Sequence, residues 1–307
     1  MPELPEVETT VRGLRAKIVG EIFATHWTDW PRMLEVITPQ GPGRLKRVFG
    51  QASFKKALLG RKVLSVTRRA KFVVINLSGP ATLLIHMKLT GHLLVGRWKK
   101  RDGVWQAPQE VKAMGQRWNS YLRWVGGFKS GQMLGFSDLR RFGRFRLVLG
   151  TLEFEGVATG LKELDDLGPE PLGAKFAFDD FWPRIKKRRL PIKAVLLDQK
   201  VVAGLGNIYV DEALWHAKVS PKRLASTLKE TEAKRIFKAI PPLLKLAIKH
   251  QGTTIGDYKK IDGRDGGYQK LRVAYQRHGE PCLRCGAKMV RTVVRGRGTH
   301  FCPKCQR

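Results

Sequence analysis

The sequence predicts an α+β protein of several domains: an N-terminal β-sandwich flanked by an N-terminal helix, a helical domain, and a small C-terminal β-hairpin. Three observations carry this. Between residues 61 and 155 short apolar runs are punctuated by Gly and Pro; beyond residue 172 the apolar spacing becomes helical; and the four cysteines form two Cys-x2-Cys pairs near the C-terminus.

The elements follow in chain order. Pro5 suits a first helical turn; Val7, Val11, Leu14 and Ile18 recur on one face, and Gly20 stops the helix. Residues 62–67, 71–77, 81–88, 92–95, 122–125, 133–136 and 145–149 are short runs rich in Val, Leu, Ile and aromatics, as in a sandwich. Residues 97–119 are polar, basic and dotted with Trp, and read as a long loop or insertion. Two prolines and a glycine in Leu167-Gly168-Pro169-Glu170-Pro171-Leu172 mark a hinge. This divides the chain into 1–166, a linker 167–172, a helical domain 173–270 and a terminal module 271–307. After the hinge, Pro191 starts a helix carrying Ile192, Val195 and Leu196, Gly204-Leu205-Gly206 forces a turn, and Asn207 opens a helix through Ala217. Thr227 and Glu230 have capping-box spacing before a helix with Ile236, Ile240, Leu243, Leu244 and Ile248 on one face, which Pro241-Pro242 is expected to kink or split.

Charge narrows the function. Lys and Arg total 58 against 26 Asp and Glu, a formal net charge of +32. Such a chain attracts polyanions, and nucleic acid comes first because neutralising phosphates releases condensed counterions. An anionic membrane surface and a ribosomal setting are the rival readings. No apolar run is long enough to cross a bilayer, and Met1-Pro2-Glu3-Leu4-Pro5-Glu6 lacks the pattern of a signal peptide. A cytoplasmic, nucleoid-associated monomer with no membrane partner is therefore expected.

The cysteines carry the sharpest signal. Cys282-x2-Cys285 and Cys302-x2-Cys305, sixteen residues apart, suit a tetrahedral thiolate site for one structural Zn²⁺. Two disulfides are the alternative, and the lack of a secretory signal weighs against them. Residues 288–295 read as a strand, Gly296-Arg297-Gly298 as a tight tip and residues 299–301 as the return strand: a zinc ribbon, too small to fold without its metal. Arg297 at that tip would present its guanidinium fork to a phosphate.

The opening Met1-Pro2-Glu3-Leu4-Pro5-Glu6-Val7-Glu8-Thr9, taken with the ribbon, resembles the formamidopyrimidine-DNA glycosylase and endonuclease VIII family. The resemblance runs through most of the chain. Arg69-Ala70-Lys71-Phe72 holds the family lysine. His86-Met87-Lys88-Leu89-Thr90-Gly91 and Asp138-Leu139-Arg140-Arg141-Phe142-Gly143 look like its two loops that fill the hole left by a flipped base. Residues 198–209 are similar to its helix–two-turn–helix signature, and Gly252-Thr253-Thr254 onward to Tyr268 to its base-binding loop.

The resemblance implies a zinc-containing repair glycosylase and abasic-site lyase acting on double-stranded DNA that carries oxidised bases or abasic sites. Pro2, once Met1 is removed, is a secondary amine; an α-amino group titrates near about 7.7–8.0, so much of it is unprotonated near neutrality. Its attack on C1′ gives an iminium, which allows β- and then δ-elimination of phosphate. Glu3 would protonate the opening sugar oxygen and shuttle protons. By itself Pro2-Glu3 reads as a plain helix start; the resemblance reverses that. Lys71 and Arg297 complete the implied catalytic set. Arg189, Lys193 and Asn207 would contact phosphate, and Leu89, Arg140 and Phe142 would fill the void. Glu212 would help position the amine.

Leu89 replaces a usual methionine, Leu139 a usual proline, and residues 97–119 exceed the typical loop length. Oxidised purines (8-oxoguanine and formamidopyrimidines) are the expected substrates. An endonuclease VIII-like preference for oxidised pyrimidines, or a non-catalytic zinc-ribbon binder of nucleic acid, are the alternatives.

Overall fold

The structure, a computed structural model, describes residues 1–40, 44–106, 120–150, 161–256 and 258–307. The chain forms two compact units: Met1–Asp165 with Gln251–Gly266, and Asp166–His250 with Gly267–Arg307.

In the first unit, α1 (Leu4–Ile18) leads to β1 (Phe23–Thr28), β2 (Leu34–Pro39), β3 (Leu45–Phe49) and α2 (Gln51–Leu58). Then come β4 (Val63–Arg69), β5 (Phe72–Leu77), β6 (Ala81–His86), β7 (His92–Gly96), β8 (Lys99–Arg101) and β9 (Val104–Gln106). β10 (Leu122–Phe128), β11 (Met133–Ser137), β12 (Arg144–Leu149) and a short α3 (Lys162–Asp165) complete it. One sheet runs β3-β2-β12-β6-β5-β4 and the other β1-β10-β11-β7. The β texture thus starts well before residue 61. β1, β2 and β3 lie outside the expected strand runs: β1 and β3 bury few positions, so exposed residues interrupt the alternation, whereas β2 is an interior strand whose first four residues are all buried and which shows no two-residue period.

Between the sheets lies one core. Val7, Val11, Leu14 and Ile18 of α1 and Phe54 and Leu58 of α2 join Val73, Ile75, Leu83 and Ile85 of the larger sheet and Leu93, Trp124, Leu134 and Phe136 of the smaller. Trp124 and Phe136 both meet Phe145, at 4.9 and 5.1 Å between ring centroids. Each fully buried side chain of this size contributes about 1.5–3 kcal/mol.

The outer face of the smaller sheet has a second cluster. Leu94, Leu122 and Val125 pack there with Trp98, and Trp27, Trp105 and Met133 lie against them. Leu122 and Val125 share this face despite their odd spacing because the register slips between Leu122 and Trp124. Residues 97–106 are therefore not a loop: β8 and β9 form a hairpin seated by Trp98 and Trp105. Residues 107–119, the rest of the expected insertion, lie outside the described residues.

Residues 251–266, expected to close the helical domain, pack with the first unit instead. Val95 N–H donates to the Ile261 carbonyl, and a Cβ on Gly13 would sit 2.7 Å from Ile261 Cδ1. That glycine in α1 makes room for the segment.

The second unit holds α4 (Phe178–Lys186), α5 (Ile192–Leu197), α6 (Asn207–Ala217) and α7 (Glu230–Lys249), followed by the hairpin β13 (Val290–Val294) and β14 (Arg297–Phe301). Two expectations change in α7. It is not split: Pro241 and Pro242 sit within one continuous helix, beside its buried stripe of Ile236, Ile240, Leu243 and Leu244. Its start is capped by Glu232, which accepts from Lys229 N–H at 2.9 Å, while Thr227 sits in a preceding 3₁₀ turn.

Candidate active site and nucleic-acid interface

The head of α1 is almost wholly enclosed. Pro2 is buried and Glu3 is 2% exposed. Glu6 organises this region. Its Oε2 accepts Glu3 N–H at 2.9 Å, its Oε1 accepts Thr253 N–H at 2.7 Å, and its carbonyl accepts the Tyr258 hydroxyl at 3.0 Å. Gly252 has φ +77°, and a Cβ there would come within 3.0 Å of Glu6 Oε1. The bends that let this loop reach α1 thus depend on glycine. Burial, then the charge of Glu6, pushes the Tyr258 phenol far above its ordinary range, so it stays a donor.

Lys71 is 6% exposed at the turn into β5, where the preceding Ala70 adopts φ +49°. It belongs to a positive cluster at this end of the sandwich. Desolvation, then the charges of Lys88, Lys71 and Arg146, push His86 down to about 3. Lys88 is lowered by desolvation, Arg146 and Arg144, against Glu163. Such an accumulation of cations suits a polyanion.

Leu89, Arg140 and Phe142 lie on two adjacent loops of the same unit. Leu89 is half-buried, Arg140 exposed and Phe142 44% exposed, with the Arg140 guanidinium 4.9 Å over the Phe142 ring. Large apolar and cationic groups standing in water are what a base-stack wedge requires.

In the second unit, Asn207 opens α6 behind Gly206, and its Nδ2 donates to the Gly298 carbonyl at 3.0 Å. Arg189 is exposed among Lys186, Lys187 and Arg188. Lys193 is different: it is fully buried, and its Nζ donates to Asp211 Oδ1 at 2.7 Å and to the Gly298 carbonyl at 2.8 Å. An amine in that position reaches no phosphate. The helical spacing that put Ile192 and Leu196 in the core put Lys193 beside them, and the Asp211 carboxylate with the Gly298 carbonyl makes its charge tolerable. Asp211 Oδ2 also accepts His300 N–H at 2.9 Å, so α5, α6 and β14 meet on one carboxylate.

Glu212 has a similar structural task. Its carboxylate accepts the N–H groups of Val273, Ala274 and Tyr275 at 2.9, 2.8 and 2.8 Å. Burial raises its pKa and the three donors oppose that. Both oxygens are engaged in holding the chain that leads to the ribbon, rather than in positioning an amine.

The ribbon tip is Arg295-Gly296, at φ +49° and +76°, the two left-handed residues of a tight hairpin turn. Arg297 is therefore not in the tip. It is exposed at the first position of β14, paired with Val294 and next to Gly298, which Asn207 and Lys193 hold.

The sulfurs of Cys282, Cys285, Cys302 and Cys305 lie within 4.8 Å of one another, which matches the edges of a tetrahedron with metal–sulfur bonds of about 2.3 Å. Desolvation and the neighbouring sulfurs push the Cys305 thiol up to about 12. Four thiolates held this close repel one another unless a cation sits among them, so the donor set fits a single structural Zn²⁺.

Family models match in the same order as these elements. The formamidopyrimidine-DNA glycosylase N-terminal domain covers residues 1–145, the formamidopyrimidine-DNA glycosylase H2TH domain 167–259, and the zinc finger found in FPG and IleRS 279–307. A formamidopyrimidine-DNA glycosylase of Herpetosiphon aurantiacus is 39% identical over 307 residues, covering 100% of both chains. Among solved structures, MutM in complex with carbocyclic 8-oxo-G containing DNA superposes with a TM-score of 0.81 at 33% identity over 100% of both chains. A Lactococcus lactis FPG mutant in complex with a Fapy-dG containing DNA gives 0.80 at 32%, again over 100% of both. Fold, zinc site and matches define a DNA glycosylase that acts on damaged DNA. Within that class the chain belongs to the formamidopyrimidine-DNA glycosylase family.

The residues that sequence reasoning missed are carboxylates and their partners: Glu6, Thr253 and Tyr258 in one unit, Asp211 in the other. Glu6 had one legible signal, its three-residue spacing from Glu3. Asp211 had none, since its partner Lys193 lies 18 residues away.

Proposed function

We propose that this protein is a bifunctional glycosylase and abasic-site lyase that removes oxidised purines from double-stranded DNA through a Schiff base on Pro2. The observation that carries this is an N-terminal proline and an adjacent carboxylate, both buried, at the head of a helix whose Glu6 ties it to the loop at Thr253.

With Met1 removed, the Pro2 nitrogen adds its lone pair to C1′ of an extruded nucleotide. The bond to the damaged base breaks and the base leaves with a proton. Glu3 protonates the ring oxygen as the sugar opens, leaving a cationic iminium between Pro2 and C1′. That cation acidifies C2′; loss of a C2′ proton expels the 3′ phosphate, and a second elimination expels the 5′ phosphate. Lys71 contributes charge beside the lesion, Arg297 holds the adjacent phosphate, and Arg189 and Asn207 contact the backbone. Leu89, Arg140 and Phe142 occupy the void. Lys193 acts only through the strand that carries Arg297.

The leucine at position 89 favours a second reading, a preference for oxidised pyrimidines. Borohydride trapping on duplexes with 8-oxoguanine, dihydrouracil or an abasic site separates the two. Adduct with 8-oxoguanine and the abasic site, and little with dihydrouracil, is expected. The reverse supports the second reading, and no adduct on any duplex removes Pro2 from the mechanism.

A further inference from the structure

The two loops that carry Leu89, Arg140 and Phe142 are twin crossovers. The first runs from the end of β6 in the larger sheet to the start of β7 in the smaller; the second runs from the end of β11 back to β12. Their anchors are paired at both ends, His86 with Arg144 and His92 with Ser137. They therefore leave and enter the sandwich side by side.

One carboxylate joins them. Asp138 is 1% exposed, and its Oδ1 accepts the Thr90 hydroxyl of the first loop at 2.5 Å. The same oxygen accepts Arg140 N–H at 3.2 Å, and Oδ2 accepts Gly143 N–H at 2.8 Å. Arg140 N–H is shared with Thr90 Oγ1 at 3.1 Å. Thr90 is the immediate neighbour of Leu89, and the carboxylate's other two donors flank Phe142. Each loop also has its own constraint, with Gly91 N–H on the Met87 carbonyl at 3.1 Å and Lys88 and Arg141 both at φ +56°. The link between the loops is the Thr90–Asp138–Arg140 triangle.

We propose that Thr90 and Asp138 are positioning residues that lock the two loops into one wedge, so that Leu89, Arg140 and Phe142 enter the base stack as a unit. This rests on the void-filling reading of those three residues. The physical argument is entropic. Two independent loops must each be ordered on insertion, whereas loops already joined through a buried carboxylate are ordered in advance. The joined state also needs no water inside, since the carboxylate has three donors around it.

Thr90→Val tests this, because it removes the hydroxyl at almost constant shape and leaves both Asp138 contacts within its own loop. Thr90→Ala serves if valine distorts the turn, and Thr90→Ser is the rescue. The readout is the rate of fluorescence increase of 2-aminopurine, placed next to the base opposite 8-oxoguanine, on mixing with the zinc-loaded full-length protein. In the parent chain, Leu89→Ala and Phe142→Ala should each slow the rise and be non-additive together. In Thr90→Val the rise should be about tenfold slower, in line with loss of one charged hydrogen bond, and the two alanine effects should become additive. Thr90→Ser should restore both. Scission of a single-stranded abasic oligonucleotide, which has no stack to enter, should be unchanged in Thr90→Val. If Thr90→Val keeps the parent rate and the non-additivity, the coupling is wrong while the wedge stands. If neither Leu89→Ala nor Phe142→Ala changes the fluorescence, the wedge reading itself fails.

Discussion

Among the described residues two β-hairpins stand outside the large sheets, and they are held by different means. β8–β9 lies on an apolar sheet face, with Trp98 and Trp105 packed among Leu94, Leu122, Val125 and Trp27 and with Lys100 4.8 Å over the Trp27 ring. β13–β14 buries Val294 and Phe301, and Met289 beside it packs with Trp215, Cys282 and Cys302. It relies on four sulfurs and on polar groups of the helical unit: Lys193 and Asn207 on the Gly298 carbonyl, and Asp211 on His300. A lone two-stranded hairpin is marginal in water, so each needs an outside support. Packing gives a support that tolerates exchange of similar residues. A metal and a buried ion pair give one that fixes direction, and it lies next to Arg297, the arginine proposed to hold a phosphate.

The largest way to break this comparison is to remove the metal. Chelation, or Cys302→Ser, should unfold β13–β14 outright, since structural zinc contributes about 10–16 kcal/mol in such modules. Zinc content, hydrogen exchange of residues 290–301 and DNA affinity should fall together, with β8–β9 unaffected. Unchanged DNA binding after verified metal loss contradicts the role given to Arg297.

Lys193→Met comes next. It strands Asp211 without its cation and should cost about 3–5 kcal/mol by denaturant unfolding of the second unit. DNA affinity should drop through disorder of Arg297, and the salt slope should fall by about one, no more than in Arg297→Ala, because Lys193 itself meets no phosphate. A salt slope smaller by about two in Lys193→Met, against about one in Arg297→Ala, would return Lys193 to the phosphate contacts.

Trp98→Ala should cost about 3 kcal/mol, confined to the hairpin and the outer face of the smaller sheet. Hydrogen exchange should quicken in residues 97–106, and excision should stay within about twofold. Excision lost in proportion to hairpin opening would give β8–β9 a part in the reaction.

The smallest expected effect is on pH. His86 and His26 are lowered to about 3 and about 4, both chiefly by desolvation. Groups with depressed histidine pKa values stabilise the fold fully above about 6.5 and lose that contribution as pH falls toward the folded values. Between pH 7 and 5 the first unit should lose about 2 kcal/mol through His86 and less through the more exposed His26, so that His86→Gln keeps only the smaller part of the slope. The zinc ribbon, followed by near-terminal hydrogen exchange, should not share that slope through these two residues.

Legibility in the sequence followed the range of the interactions. α6 is read from Asn207 to Ala217 because glycine turns and capping are local, and the zinc site because Cys-x2-Cys is a short spacing. Most of the sandwich strands are legible from periodicity. β1, β2 and β3 are not, since β1 and β3 bury too few positions to show a period and β2 is buried along its first four residues, and the ribbon tip ends two residues earlier than expected because Arg295 takes a left-handed conformation that glycine would have announced. In the candidate site, the identity of Pro2, Glu3, Lys71 and Arg297 is a matter of sequence, whereas the grip of Glu6 on Thr253 spans 247 residues and has no local signature.

By itself the sequence determined the helices and strands with a clear period, which metal chemistry the cysteines support and which family the chain joins, because caps, turns, ligand spacings and periodicities act between near neighbours. The tertiary structure decided which charges are buried. Lys193 and Arg189 lie four residues apart in a basic segment, yet one is sealed against Asp211 and the other stands in water. A charge enters the interior only where a distant partner meets it, and that partner's position is a property of the folded chain.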